Sequence, residues 1–243
     1  MLEQFFSESE VNAKLVERKS RTNESTDKKN QRILLSGPSH SGKTSLLLQF
    51  AYNCARETSA TVVFLCKRNN FEKNPPFLPQ DVDPSSEIFE RVHIKYIEDD
   101  EGIRKYFAAF HMHSNFPRAV ILDDFCEFFD EGKCREKYGQ ARGCDVAMVR
   151  TLALCCDAIN HANDKLPSTE SCKLLISDSH IGDTPRLLYI YQRWLPCILT
   201  VNAHDGFTFT LKISNLPDKP KIGSYAKYST ALQYLTLVEM QSK

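Results

Sequence analysis

Residues 37–44 read Gly37-Pro38-Ser39-His40-Ser41-Gly42-Lys43-Thr44, the G-x-x-x-x-G-K-T spacing of a phosphate-binding loop. The chemistry behind that spacing is anion capture. Glycines let the chain turn so that consecutive N–H groups face inward, and the positive end of the following helix adds to their field. The cradle is expected over Gly37, Pro38, Ser39, His40, Ser41, Gly42, Lys43, Thr44 and Ser45, with Lys43 reaching the β- and γ-phosphates. The Thr44 hydroxyl is expected on Mg²⁺, which needs a second oxygen anchor. Asp123 fits that role, because apolar residues 119–122 lead straight to it as the tip of a buried strand. Asp124 follows directly and is, with Lys43, the candidate catalytic pair, as the acid that would orient a water against the γ-phosphate. Glu72 and Glu127 are less constrained candidates for that task, and a solvent-facing or turn-capping Asp124 is an equal alternative. Ser177-Asp178-Ser179-His180 ends another apolar run and is placed to sense the γ-phosphate, although His180 alone reads more simply as a solvated loop residue.

These groups act together only if a regular scaffold carries them to one edge. Apolar residues at 33–35 predict a strand into the loop, and residues 45–51 begin a helix expected to run to about Glu57. Runs at 61–66, 118–124 and 173–177 predict further core strands, and Val92-His93-Ile94-Lys95-Tyr96 alternates as a shorter one. Helical spacing predicts helices over 100–112, with Ile103, Phe107 and Phe110 on one face, and over 146–162. Prolines at 75, 76, 79 and 84 make 67–90 mostly loop. Residues 197–201 and 207–213, around Asn202-Ala203-His204-Asp205-Gly206, predict an antiparallel hairpin, and residues 232–240 read equally as strand or helix. The fold class is therefore α/β, a P-loop NTPase with a mainly parallel sheet and a C-terminal antiparallel hairpin. Residues 1–31 are expected to form a polar arm or weakly helical lead-in, and residues 32–243 one ATPase domain.

A length of 243 residues suits one α/β domain. Lys+Arg and Asp+Glu are both 31, so any anion-binding surface must be local. No apolar run approaches a membrane span of roughly 18 residues, and Met1-Leu2-Glu3-Gln4 does not open a secretory signal. The nine cysteines include no C-x-x-C pair, and several lie in apolar runs, which points to buried reduced thiols in the nucleus or cytoplasm. Only Cys126, Cys134 and Cys144 are close enough on a polar stretch to suggest a metal. Lys133, Arg135, Lys137, Tyr138 and Arg142 set cations and one aromatic on a glycine-containing segment, a pattern that can track single-stranded DNA. Interleaved Asp130, Glu131 and Glu136 make an ordinary solvated loop an equal reading.

The order of these motifs resembles the ATPase core of RecA-type recombinases. Within that group the chain is most similar to the recombinase-paralogue ATPase of Shu complexes, the partner of a SWIM-domain zinc protein. The resemblance covers about residues 32–215 and is carried by the P-loop, residues 63–68, Val120-Ile121-Leu122-Asp123, the helix around Leu152-Ala153-Leu154, and residues 191–197. It implies a RecA-like core, ATP on residues 37–45, Mg²⁺ at Thr44 and Asp123, single-stranded DNA near 130–143 and 180–186, recombinase-paralogue partners, and a role in homologous recombination in the nucleus. It also implies a catalytic glutamate after the second core strand, where Arg68 stands here, and a sensor glutamine where Ser179 or His180 stands. The resemblance with these departures leads to weak hydrolysis. A small-molecule or nucleotide kinase, and a nucleotide-gated scaffold without turnover, are the competing functions.

Overall fold

Strands that are apolar at every position must be covered on both faces, and that requirement sets the architecture. The computed structural model describes residues 1–14, 31–129, 136–139, 141–180, 187–215 and 224–241. Strands β1 (Arg32–Gly37), β2 (Val62–Cys66), β3 (Val92–Tyr96), β4 (Ala119–Leu122), β5 (Lys173–Ser179) and β6 (Cys197–Ala203) run parallel. Strands β7 (Thr208–Asn215), β8 (Tyr225–Ser229) and β9 (Thr236–Gln241) continue the same sheet antiparallel. The nine-stranded order is β3-β2-β4-β5-β1-β6-β7-β8-β9. The α/β class, the mainly parallel sheet and its antiparallel end are as the sequence predicts.

Alternate residues of each core strand enter different cores. Ile33, Leu35, Phe64, Ile121, Leu175 and Leu199 face one way, against helix α2 (Lys43–Glu57). Leu34, Leu65, Val120, Leu122, Ile176 and Ile198 face the other, against α4 (Asp100–Ala108), α5 (Ala141–Lys165) and α6 (Leu188–Trp194). Two further helices, α1 (Glu8–Lys14) and α3 (Arg68–Lys73), are short. No helix among the described residues is long and apolar enough to cross a membrane.

Several expectations change. Residues 1–14 form a helical lead-in rather than a free arm: Leu2, Phe5 and Phe6 are buried, and the Phe5 ring lies 5.2 Å from that of Phe50 on α2. The reason is a polar hook inside an apolar helix. Asn53 Nδ2 donates to the carbonyls of Gln4 at 3.0 Å and Phe6 at 2.8 Å, fixing the backbone that presents those rings. Leu15 and Val16, also predicted to join this segment, lie outside the described residues. The hairpin is extended to four antiparallel-linked strands by β8, which was not anticipated, and residues 236–241 resolve as strand. The 67–90 loop contains α3 and a 3-10 turn at Glu87–Arg91. The described cysteines are all free thiols, and all but Cys126 are buried.

Candidate functional site

Strand β1 delivers the phosphate-loop sequence to the carboxyl edge of the sheet, and glycine is required there for contact reasons. A Cβ on Gly37 would lie 2.6 Å from Val201 Cβ on β6. Gly42 turns the chain into α2 with φ of 75°, and a Cβ there would lie 2.7 Å from Thr230 Cγ2. His40 also occupies the left-handed region, with φ of 59°. Ser41 Oγ and Lys43 Nζ each donate to the Pro38 carbonyl at 2.8 Å, so the lysine lies back across its own loop. Burial lowers the Lys43 pKa, opposed by Asp124, Asp123, Asp178 and Glu127. The loop is further held by Tyr228 on β8, whose buried hydroxyl donates to the Ser41 carbonyl at 2.6 Å.

Because β5 lies between β1 and β4, its tip bridges the phosphate loop and the acidic tip of β4. Thr44 Oγ1 donates to Asp123 Oδ2 at 2.8 Å, and Ser177 Oγ donates to Asp123 Oδ1 at 2.7 Å. Ser177 Oγ also accepts from the Asp124 N–H at 2.8 Å, while Ser179 Oγ donates to Asp124 Oδ1 at 2.7 Å. Asp124 has φ of 48°, a left-handed conformation that is uncommon outside glycine. Burial, and then the neighbouring Asp124, push the Asp123 carboxyl up to about 6, against the pull of Ser177, Thr44 and Lys43. The hydroxyl–carboxylate pair fits Mg²⁺, a hard cation that takes one or two carboxylates together with substrate phosphates. Among the described residues no group of three or more His, Cys, Asp or Glu could hold a metal ion. The triad Cys126, Cys134, Cys144 falls partly outside the described residues.

These groups line one cleft of about 780 Å³. Its polar floor is the loop 39–45 with Asp123, Asp124 and Ser179; one wall carries Asn70, Phe71, Lys73 and residues 74–77, and the far end carries Phe207, Thr230, Leu232 and Gln233. Of the candidate acids, Asp124 and Glu127 reach the cleft and Glu72 does not. Glu72 pairs instead with Arg68 at 3.3 Å, and the Arg68 guanidinium stacks 4.4 Å from the Tyr96 ring, outside the cleft. Asn70, two residues on from Arg68, turns inward as Phe71 and Lys73 do, and its amide donates to Glu127 Oε2. The sequence reading missed Asn70, Tyr228 and Thr230.

At the β5 tip, Ser177 and Ser179 face Asp123 and Asp124, whereas the Asp178 and His180 side chains are buried. Burial pushes the Asp178 carboxyl up to about 6, the nearby polar groups of Cys126 and of Tyr191 on α6 opposing the rise, and neither carboxylate oxygen has a hydrogen-bond partner among the described residues. Cys126 Sγ and Tyr191 Oη are themselves 3.3 Å apart.

Of the proposed DNA-contacting residues, Lys137, Tyr138 and Arg142 do not line this cleft. Lys133 and Arg135 lie outside the described residues. Lys137 pairs with Asp100 at 3.0 Å, and Tyr138 Oη donates to the other Asp100 oxygen at 2.6 Å. Both polar heads are thus committed to the N-terminal turn of α4, while Arg142 is exposed at the start of α5. No family model and no curated protein matches this chain.

Proposed function

We propose that the chain binds Mg²⁺ with a nucleoside triphosphate, ATP in the first instance, hydrolyses it slowly, and acts as a recombinase-paralogue accessory protein in homologous recombination. The observation that carries the nucleotide part is the 2.8 Å bond from Thr44 Oγ1 to Asp123 Oδ2, made between a phosphate loop and the acid tip of a separate strand. A P-loop hydroxyl facing a strand-tip carboxylate is the arrangement that holds Mg²⁺ against β- and γ-phosphates. Loop N–H groups and the α2 N-terminus bind the phosphates; Lys43, released from the Pro38 carbonyl, neutralises the γ end. Ser177 fixes the Asp123 carboxylate so that the anchor does not rotate away. The ion, when bound, supplies charge neutralisation at the phosphate oxygens.

The recombination part is supported by the resemblance in motif order and by the mainly parallel sheet with its antiparallel end, which agrees with a RecA-like core. In this reading a SWIM-domain partner and single-stranded DNA also bind the protein, the DNA at residues 133–142.

Titration of a fluorescent ATP analogue with and without Mg²⁺ tests the nucleotide reading. Thr44→Ala and Asp123→Ala are expected to weaken Mg²⁺-dependent binding about 10- to 100-fold, the loss of one charge-assisted contact, with little change in the Mg²⁺-free signal. Binding indifferent to Mg²⁺ in the unaltered protein would count against it. Oligonucleotide binding that ignores both salt and neutralisation of Lys133, Arg135 and Arg142 would remove direct DNA contact.

A further inference from the structure

We propose that Glu127 is the carboxylate that orients the water attacking the γ-phosphate, and that Asn70 is its positioning residue. The proposal rests on the nucleotide reading above and names the group that performs its hydrolytic step.

Two cleft acids besides Asp123 are candidates, and their surroundings separate them. Asp124 is held at its backbone N–H and at one carboxylate oxygen. Its N–H donates to Ser177, its Oδ1 accepts from Ser179, and its left-handed φ of 48° fixes the direction in which its short side chain leaves the backbone. It braces the metal anchor. Glu127 is exposed to the cleft on the 3-10 turn Phe125–Phe129, whose Phe125, Phe128 and Phe129 rings are buried and anchor the turn in the core.

Glu127 is also gripped from the opposite wall. Asn70 Nδ2 donates to its Oε2, and Lys67 Nζ donates to its backbone carbonyl while lying 5.4 Å over the Phe128 ring. Side chain and backbone are therefore both held by the β2–α3 junction. An amide donor orients one carboxylate oxygen without cancelling the negative charge, and leaves the other oxygen to accept from water. Glu127 lines the same cleft as Lys43 and Thr44. The neighbouring Arg68 cannot serve in its place, since it is turned outward onto Tyr96 and Glu72.

In the step itself, the water oxygen forms a bond to the γ-phosphorus as the bond from that phosphorus to the β–γ bridging oxygen breaks. The bridging oxygen leaves on the nucleoside diphosphate with the bonding electron pair. Glu127 accepts the water proton and returns it to solvent, so the net products are nucleoside diphosphate, inorganic phosphate and one proton.

The test is steady-state phosphate release with Glu127→Gln, Asn70→Ala, Asn70→Asp and, as a control outside the cleft, Glu72→Gln. A positioned base contributes about 10²- to 10⁴-fold, so Glu127→Gln is expected to lower kcat at least about 100-fold with ATP affinity within about threefold. Asn70→Ala is expected to lower kcat about tenfold, and Asn70→Asp further, because a like charge pushes Glu127 from its place, while Asn70→Gln restores part of the loss. Glu72→Gln is expected to match the unaltered protein. Trapping of ADP with aluminium fluoride gives a second readout, expected to be lost in Glu127→Gln while ATP binding persists. Glu127→Gln turning over at the normal rate, or Asp124→Asn abolishing turnover while Glu127→Gln leaves it intact, would overturn the assignment. Unaltered protein that binds Mg²⁺–ATP and releases no phosphate would also overturn it and leave the binding reading standing. Absence of Mg²⁺-dependent ATP binding would overturn both.

Discussion

Replacing Asp178 by Asn should stabilise this protein at neutral pH. Asp178 is fully buried at the β5 tip, and its carboxyl is raised from 3.8 to about 6, chiefly by burial. A carboxyl that holds its proton more tightly folded than unfolded contributes stability below its unfolded pKa. That contribution is lost as pH rises through the folded value. The shift is about two units, and each unit is worth about 1.4 kcal/mol, so the ionised acid costs at most about 3 kcal/mol above pH 7. Asn has the same shape, keeps a carbonyl oxygen near Tyr191 and Cys126, and cannot ionise. Losing a nearby anion costs Lys43 part of the gain, because Asp178 is one of the acids that support its charge.

The expected outcome is therefore a gain of about 1–3 kcal/mol at pH 7.5 that shrinks to nothing near pH 4. Urea denaturation of both proteins at pH 4.5, 6 and 7.5 measures it. The comparison between variants matters because Asp123 is raised to about 6 as well and gives the unaltered protein the same sign of pH dependence. A difference that does not change with pH, or an Asn variant less stable at pH 7.5, would refute the reasoning. The acid then would be held ionised by its partners rather than penalised by burial.

Tyr228→Phe removes the hydroxyl that holds the Ser41 carbonyl, and is expected to cost about 1 kcal/mol in urea midpoint analysis and to weaken ATP binding severalfold in fluorescence titration. Phe5→Ala empties a fully buried site against Phe50 and is expected to cost about 3–5 kcal/mol, measured by thermal or urea unfolding, with ATP affinity unchanged in the fraction that folds.

The sequence made the site's two ends legible for different reasons. The phosphate loop is visible because only glycine can turn at residue 42 and pack at 37, so the spacing itself carries the geometry. Asp123 is visible because a strand buried on both faces leaves an uninterrupted apolar run, and an acid at its end stands out. Asn70 was hidden. Helix α3 spans only six residues, too few for a periodicity to show that Asn70, rather than Arg68, turns inward. The docking of residues 1–14 was hidden as well, since Phe5 and Phe6 are placed by Asn53, far along the chain. One signal was available: Gln49 and Asn53 are polar residues, buried and bonded to each other at 3.1 Å, on a helix face otherwise apolar. A buried amide needs partners, and backbone carbonyls from elsewhere are the usual ones.

The C-terminal strands show the deeper reason why a motif is not yet a site. Strand β8 has an alternating pattern, with Ala226 and Tyr228 buried between half-exposed neighbours, but five residues with a lysine at the centre announce little. Its effect appears only in three dimensions. The phosphate loop is bounded by Val201 of β6 against Gly37, by the Tyr228 hydroxyl on the Ser41 carbonyl, and by the Thr230 methyl against Gly42. Those three contacts come from the C-terminal part of the chain and touch the loop at its first residue and at the adjacent residues 41 and 42. A loop of N–H donors binds phosphate well only if it is already shaped for it, because any ordering left to do is subtracted from the binding energy. On the nucleotide reading proposed above, the antiparallel end of the sheet is the second half of the cradle, and it holds the loop at residues 37, 41 and 42, where glycine or a bare carbonyl allows close approach.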